Sequence, residues 1–257
     1  MSPPSVDLAG KRILVTGGGA GLGRGLCVYF GSAGARVVVT GRGTNVEETV
    51  AAIREAGGEA LSARCDATRA SDVEGAVTLA VDRLGGLDAM VHNATSRSSS
   101  VVSSIEDLNE DAWRDHLAVS VRAGYLCAHA ALPQLEQSRG ALVLMTSPAA
   151  MEGSATLPGY AAVKGALRGM TKSLALEWGP RGVRVVAVSP LARTPALDNA
   201  FIENPELEGR LEALVPLGWI GEPEPDVAPV VAWIVSDAGR YVTGQTVVVD
   251  GGRFTGL

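Results

Sequence analysis

Three side chains stand at a spacing that suits proton exchange with an alcohol or a carbonyl. Tyr160 and Lys164 are four residues apart, which puts a phenol and an ammonium on one face of a helix. A phenol that titrates near about pH 10 is a poor base at neutral pH, and an adjacent cation favours its ionised form. Ser147 precedes this pair and ends an apolar strand, at the edge where open α/β sheets keep their sites. A Tyr-x-x-x-Lys pair alone is common; the placement gives it weight.

A second constellation lies near the N-terminus. Thr16-Gly17-Gly18-Gly19-Ala20-Gly21-Leu22-Gly23 joins a strand to a helix, and glycines there let a pyrophosphate approach the backbone N–H groups of a helix start. Between the strand and helix of a first βαβ unit, the string reads as a dinucleotide-binding turn, with Gly17, Gly21, Leu22 and Gly23 as candidate residues. An acidic residue closing the second strand would hold the adenosine ribose hydroxyls and repel a 2′-phosphate. This chain instead has Val39-Thr40-Gly41-Arg42, and a guanidinium can grip a phosphate through two bonds, so NADP is expected over NAD. Asp66, closing the third strand, is placed to meet the adenine amino group or to begin the next turn.

Positioning these groups takes a regular alternation of elements. Strands are expected at Arg12–Thr16, Arg36–Thr40, Ala60–Arg64, Asp88–His92, Ala141–Thr146, Val183–Val188 and Thr246–Val249. Helices are expected at about Gly21–Ala33, Val46–Ala56, Ser71–Leu84, Asp111–Glu136 and Gly159–Trp178. Apolar strands separated by helices mean right-handed βαβ units: an α/β, Rossmann-type, doubly wound sheet of seven parallel strands. No Pro- or Ser-rich linker interrupts the pattern, so residues 1–257 read as one domain. Two segments break the rhythm, Ser96–Ser104 and Leu191–Pro216, and long irregular insertions are usually functional loops or lids.

Composition narrows the classes. With 46% hydrophobic residues in 257, a sizeable core can form and disorder is excluded. The 22 Lys and Arg against 28 Asp and Glu give a net charge of −6, with no basic cluster for nucleic acid. No apolar run is long enough to span a bilayer. Met1–Asp7 lacks the basic and apolar regions of a secretory leader. The widely spaced Cys27, Cys65 and Cys127 read as buried reduced thiols of a cytoplasmic protein. Three histidines without cysteines or spaced carboxylates nearby argue against a metal site. Dispersed Trp113, Trp178, Trp219 and Trp233 form no platform for bases.

The ordered set Thr16–Gly23, Asn93-Ala94, Ser147, Tyr160 with Lys164, Ser189-Pro190 and Thr243–Gly252 resembles the short-chain dehydrogenase/reductase family over essentially the whole chain. The resemblance implies hydride transfer between a nicotinamide and a carbonyl or secondary alcohol. It implies Tyr160 as general acid/base and Ser147 as hydrogen-bond partner of the substrate oxygen. Lys164 would bind the nicotinamide ribose and tune Tyr160, while Asn93 supports the cofactor and the central strand. A homo-oligomer, tetramer or dimer, is implied, built partly on the long helices that carry Ser120 and Tyr160. Small-molecule substrates are expected, with no nucleic acid or membrane as partner.

Three departures bear on rate and nicotinamide geometry. Where many members carry an asparagine on the long fourth helix, this chain has Ser120, read as keeping a weakened proton relay, with His116 one turn earlier either a helper or a partly exposed helix residue. The usual Asn-Ala-Gly is Asn93-Ala94-Thr95, and Pro-Gly is Pro190-Leu191. Thr194 follows at a shortened spacing and is a candidate contact for the cofactor. His92 reads as a satisfied histidine behind the site, and His129 as a packing or subunit-contact residue.

In Leu191–Pro216, apolar residues from Ala196 to Leu214 recur at helical spacing, as a substrate lid or as ordinary core. A lid would suit a bulky hydrophobic carbonyl compound, with Ser96–Val102 and Met151–Pro158 facing the same pocket. Two other classes stay open: a redox-neutral enzyme using Tyr160 as acid/base, and a cofactor-binding regulatory protein without turnover.

Overall fold

Short aliphatic runs form strands here because helices cover both faces of the sheet, so no face has to be polar. The computed structural model describes residues 6–256, so the reading of Met1–Asp7 falls largely outside the described residues. The first half runs β1 (Arg12–Thr16), α1 (Gly21–Ser32), β2 (Arg36–Gly41), α2 (Asn45–Glu55), β3 (Glu59–Arg64), α3 (Ala70–Leu84), β4 (Ala89–His92). Next come α4 (Glu110–His116), a π-helical segment (Leu117–Arg122), α5 (Ala123–Ser138) and β5 (Ala141–Met145). The chain continues through α6 (Ala149–Glu152), α7 (Pro158–Trp178), β6 (Arg184–Pro190), α8 (Pro195–Glu203) and α9 (Glu206–Ala213), then α10 (Ala228–Val235) and β7 (Thr246–Val249).

The seven strands lie in the order β3-β2-β1-β4-β5-β6-β7, every neighbouring pair parallel. Alternate strand residues feed two cores. Ile13, Val15, Val37, Val39, Val91, Val143 and Val186 pack with α1, α2 and α10 on one face. Leu14, Val38, Met90, Leu142, Leu144 and Val185 pack with α3, α5 and α7 on the other. Chain direction across the sheet reverses between β1 and β4, so the loops leaving their C-terminal ends diverge and open a crevice. Three of the motifs singled out above end at that edge: Thr16-Gly17, His92-Asn93 and Ser147.

The structure departs from the sequence expectations in three elements. The single helix expected over Asp111–Glu136 is α4 and α5 joined by the π segment, which widens the turn at Ser120. The Ser120 carbonyl accepts from His92 Nε2 at 3.1 Å, an interaction from across the sheet that local propensity does not show. His116 is buried, not partly exposed, because its ring packs against Gly159 at the start of α7. The helix α10 carries no sequence signal of its own, because Ala228–Val235 is apolar throughout and shows no helical period.

Candidate active site

The glycine turn shapes one end of a cavity of about 970 Å³. Gly17 stands at φ +68°, and a Cβ there would meet the Ala94 Cα at 3.0 Å; Gly21, at φ +50°, opens α1. A Cβ on Gly23 would collide with the Gly17 carbonyl and reach within 2.5 Å of Asn93 Nδ2. Gly23 thus sets how closely α1 approaches the crevice, while Gly17, Gly21 and Leu22 line it. Asn93 spans the crevice floor, its Nδ2 donating to the carbonyls of Thr16 (3.3 Å) and Gly17 (3.1 Å).

Farther along this end, Arg42 is exposed on the cavity wall beside Asp66. Asp66 Oδ1 accepts from the backbone N–H (3.0 Å) and hydroxyl (2.8 Å) of Thr68, so it does begin the turn before α3. Burial pushes its carboxyl up, but the Thr68 bonds and the charge of Arg42 outweigh that and leave it below its ordinary value. Both sequence readings of Asp66 are thus compatible: it shapes the turn and lines the cavity.

Ser147, Tyr160 and Lys164 share one wall of the same cavity. Lys164 is buried, its Nζ donating to the Met145 carbonyl at 2.8 Å and lying 5.6 Å from the Tyr160 ring centre. Thr146 Oγ1 donates to the Lys164 carbonyl at 2.9 Å, which ties α7 to the end of β5. Burial pulls the Lys164 ammonium down to about 8. The Tyr160 phenol is pushed up by burial, while a hydrogen bond with Ser147 acts the other way. The Lys164 ammonium thus lies near the phenol ring while donating to the carbonyl that ends β5. Ser147 is the group that restrains the phenol.

Beneath this wall lies a saturated polar chain. The backbone N–H groups of Asn93 and Ala94 donate to Thr16 Oγ1, which faces His92 Nδ1 at 3.1 Å, and His92 Nε2 holds the Ser120 carbonyl. Burial drives His92 down to about 4, so the ring is neutral at physiological pH. It is the satisfied histidine expected from the sequence. Ser120 joins the network through its carbonyl; its hydroxyl is buried with no partner and does not line the cavity.

The other end of the cavity is walled by α8 and α9. Thr194 caps α8, accepting from the Leu197 N–H at 3.4 Å. Arg193 holds the two helices together through Asp198 (2.7 Å) and Glu208 (2.5 Å) and stacks over Phe201. Leu197, Leu207 and Leu211 face the cavity, with Val102 and Leu157 from the two loops singled out in the sequence. Thr95 and Leu191, the departures near the cofactor end, also line it.

A family model described as enoyl-(acyl carrier protein) reductase matches residues 17–253. The chain is 34% identical over 250 residues to 3beta-hydroxysteroid dehydrogenase 1 of Eggerthella lenta, covering 96% of this chain and 94% of that protein. The chain belongs to the short-chain dehydrogenase/reductase family. This family member is also 33% identical over 254 residues to a 2,5-dichloro-2,5-cyclohexadiene-1,4-diol dehydrogenase of Sphingobium indicum, covering 98% and 99% of the two chains. A 3-ketoacyl-(acyl-carrier-protein) reductase from Brucella melitensis, solved with NADH, superposes with a TM-score of 0.87 at 29% identity, covering 96% of this chain and 99% of that one. The protein is thus an NAD(P)-dependent oxidoreductase acting on CH–OH/C=O groups.

The crevice of this dehydrogenase/reductase fits a dinucleotide, since Gly17 and Gly21 adopt left-handed backbone and a side chain at Gly23 would close the turn. Of the sequence candidates, Gly17, Gly21, Leu22, Arg42, Asp66, Asn93, Ser147, Tyr160, Lys164 and Thr194 come together on one cavity; Gly23 and Ser120 stand behind it. Sequence reasoning missed Arg253, which lines the cavity from the C-terminal turn. Its only signal was a charge directly after Asp250-Gly251-Gly252.

Proposed function

We propose that the chain is an NADP(H)-preferring oxidoreductase that interconverts a carbonyl and a secondary alcohol on a bulky hydrophobic substrate. One observation carries this reading: Ser147, Tyr160 and Lys164 share a cavity with the glycine turn at one end and the apolar faces of α8 and α9 at the other. The bound dinucleotide supplies or accepts the hydride. Backbone N–H groups at Gly17, Gly21 and Leu22 hold its pyrophosphate, with Thr194 near by, and Asn93 and Lys164 hold its nicotinamide ribose. Asp66 meets the adenine. Arg42 selects the 2′-phosphate, since β2 ends without a carboxylate; this preference rests on Arg42, as the Brucella reductase was solved with NADH.

Ser147 Oγ donates to the substrate oxygen, and Tyr160 Oη passes it a proton during reduction. A phenol pushed up by burial is protonated at neutral pH, which suits the acid role. Residues 191–216 act as the lid. Leu117, Tyr125 and Leu176 are exposed on the helices that carry Ser120 and Tyr160, which supports a homo-oligomer, tetramer or dimer, built on them. No helix among the described residues is long and apolar enough to cross a membrane. The three buried, unbridged cysteines support a cytoplasmic setting.

The test is oxidation of NADPH over a panel of bulky ketones, with Tyr160→Phe as control. The variant should lose at least about a hundredfold in kcat while still binding NADPH. Undiminished turnover in the variant, or tighter binding of NADH than NADPH by the wild type, would overturn the corresponding half of the proposal.

A further inference from the structure

Five charged side chains line the cavity. Arg42 and Asp66 stand at the adenosine end and Lys164 behind the reacting centre, which leaves Glu152 and Arg253. These two form an ion pair, Nη2 to Oε2 at 3.1 Å and Nη1 to Oε1 at 3.3 Å, with side chains 24% and 30% exposed for Arg253 and Glu152 respectively.

Both partners are held by rigid turns. Glu152 ends α6, the helical turn that starts at Ser147, so it lies about 7–8 Å along the axis from the serine at 1.5 Å per residue. Arg253 follows Gly251 (φ +65°) and Gly252 (φ +89°) in a turn cinched by Asp250, whose carboxylate accepts from the N–H groups of Gly252 (3.0 Å) and Phe254 (2.9 Å). The pair therefore links the serine turn to the C-terminal turn across the substrate end.

The hydrogen-bond inventory of this pair is incomplete. A guanidinium offers five donors, and Glu152 takes two; Arg253 Nε is buried without a partner. A buried donor left unmade costs stability, so the arrangement is under-satisfied, and Arg253, which lines the cavity, keeps donors for an oxygen arriving there. Glu152 keeps free lone pairs beside it. A hydroxyl accepts from Arg253 and donates to Glu152 through one oxygen. A carboxylate accepting from the same donors would lie against the Glu152 carboxylate, at a repulsive cost.

We propose that Arg253 and Glu152 recognise a second, neutral hydroxyl on the substrate, so that the protein acts on apolar hydroxy-ketones and the corresponding diols. This rests on the hydride-transfer reading of the same cavity. The rest of the substrate is held by the leucines of α8 and α9, and the Arg–Glu pair sets which end of the molecule points away from Tyr160.

The test uses three matched compounds: decalone, a hydroxydecalone with the hydroxyl remote from the carbonyl, and the keto acid with a carboxylate in its place. The wild type should prefer hydroxydecalone to decalone by about tenfold or more in kcat/KM, chiefly through KM, as expected for a hydrogen bond to a charged group. Arg253→Lys keeps the charge facing Glu152 but has no Nε–H, and it should bring the ratio to within about threefold of one. Glu152→Gln should do the same, and it carries the test if the lysine variant does not fold. A ratio near one in the wild type, an unchanged ratio in both variants, or a preference for the keto acid would overturn the assignment. Calorimetric binding of decalol and its diol to the NADP-loaded protein separates the two readings. Preferential diol binding without turnover of any ketone would sink hydride transfer and leave the hydroxyl site standing. Binding without preference would sink the hydroxyl site alone.

Discussion

The two ends of the cavity are built from different materials. At the cofactor end the wall is largely backbone: glycines, N–H groups and an asparagine amide, set at the ends of β1 and β4 and backed by the Thr16–His92 hydrogen bonds. At the substrate end the wall is side chain, with leucines of two short helices joined by Arg193 and an ion pair contributed from elsewhere in the chain. The contrast teaches where change is tolerated. Backbone that must approach a ligand leaves no room for a Cβ, whereas an apolar wall can be reshaped by one side chain at a time.

Breaking the cofactor end should have the largest effect. Gly23→Ala forces a methyl into the Gly17 carbonyl and should cost about 3 kcal/mol of stability, with NADPH affinity lost as well. A denaturation midpoint like that of the wild type would show the turn to be softer than its packing. Next is the polar chain beneath it. His92 titrates near 4 in the fold against 6.5 unperturbed, so between those values the unfolded chain binds more protons and stability rises with pH. Acidification through that window should remove up to about 3 kcal/mol, and His92→Gln should flatten this part of the slope in urea midpoints taken across it. An identical slope in the variant would assign it to other groups.

A smaller change is expected at the rim. Arg42→Ala should weaken NADPH by about tenfold and leave NADH nearly unchanged, because the side chain is exposed and its bond to a phosphate is partly screened. Equal losses for both dinucleotides would remove the phosphate-selecting role. The smallest belongs to the substrate end. Leu211→Ala should raise KM for the bulkiest ketones by a few fold, with kcat on small ones little affected. An effect as large as that of Gly23→Ala would erase the distinction between the two ends.

Much of this was legible in the residues themselves. The strands announce themselves because burial on both faces demands uninterrupted aliphatic runs, and the glycine turn and the Tyr160–Lys164 spacing are local patterns. What was not legible depended on partners distant in the chain. The π segment at Ser120 follows from His92 reaching its carbonyl, and the burial of His116 from Gly159 leaving space for its ring. Helical spacing puts Lys164 on the face of Tyr160, but the Met145 carbonyl that accepts from its ammonium lies on a neighbouring strand that spacing does not reveal.

By itself, the order of apolar runs, glycines and reactive side chains determined a doubly wound sheet, a glycine-rich turn between its first strand and helix, and the spacing of Tyr160 and Lys164, because each is encoded over short stretches of chain. Only the tertiary structure decided which groups share a wall. It placed Ser120 and Gly23 behind the cavity, left Ser147 to restrain Tyr160, and brought Arg253 to Glu152 from the far end of the chain. The physical reason is that desolvation and hydrogen-bond pairing depend on neighbours in space, which no spacing along the chain records.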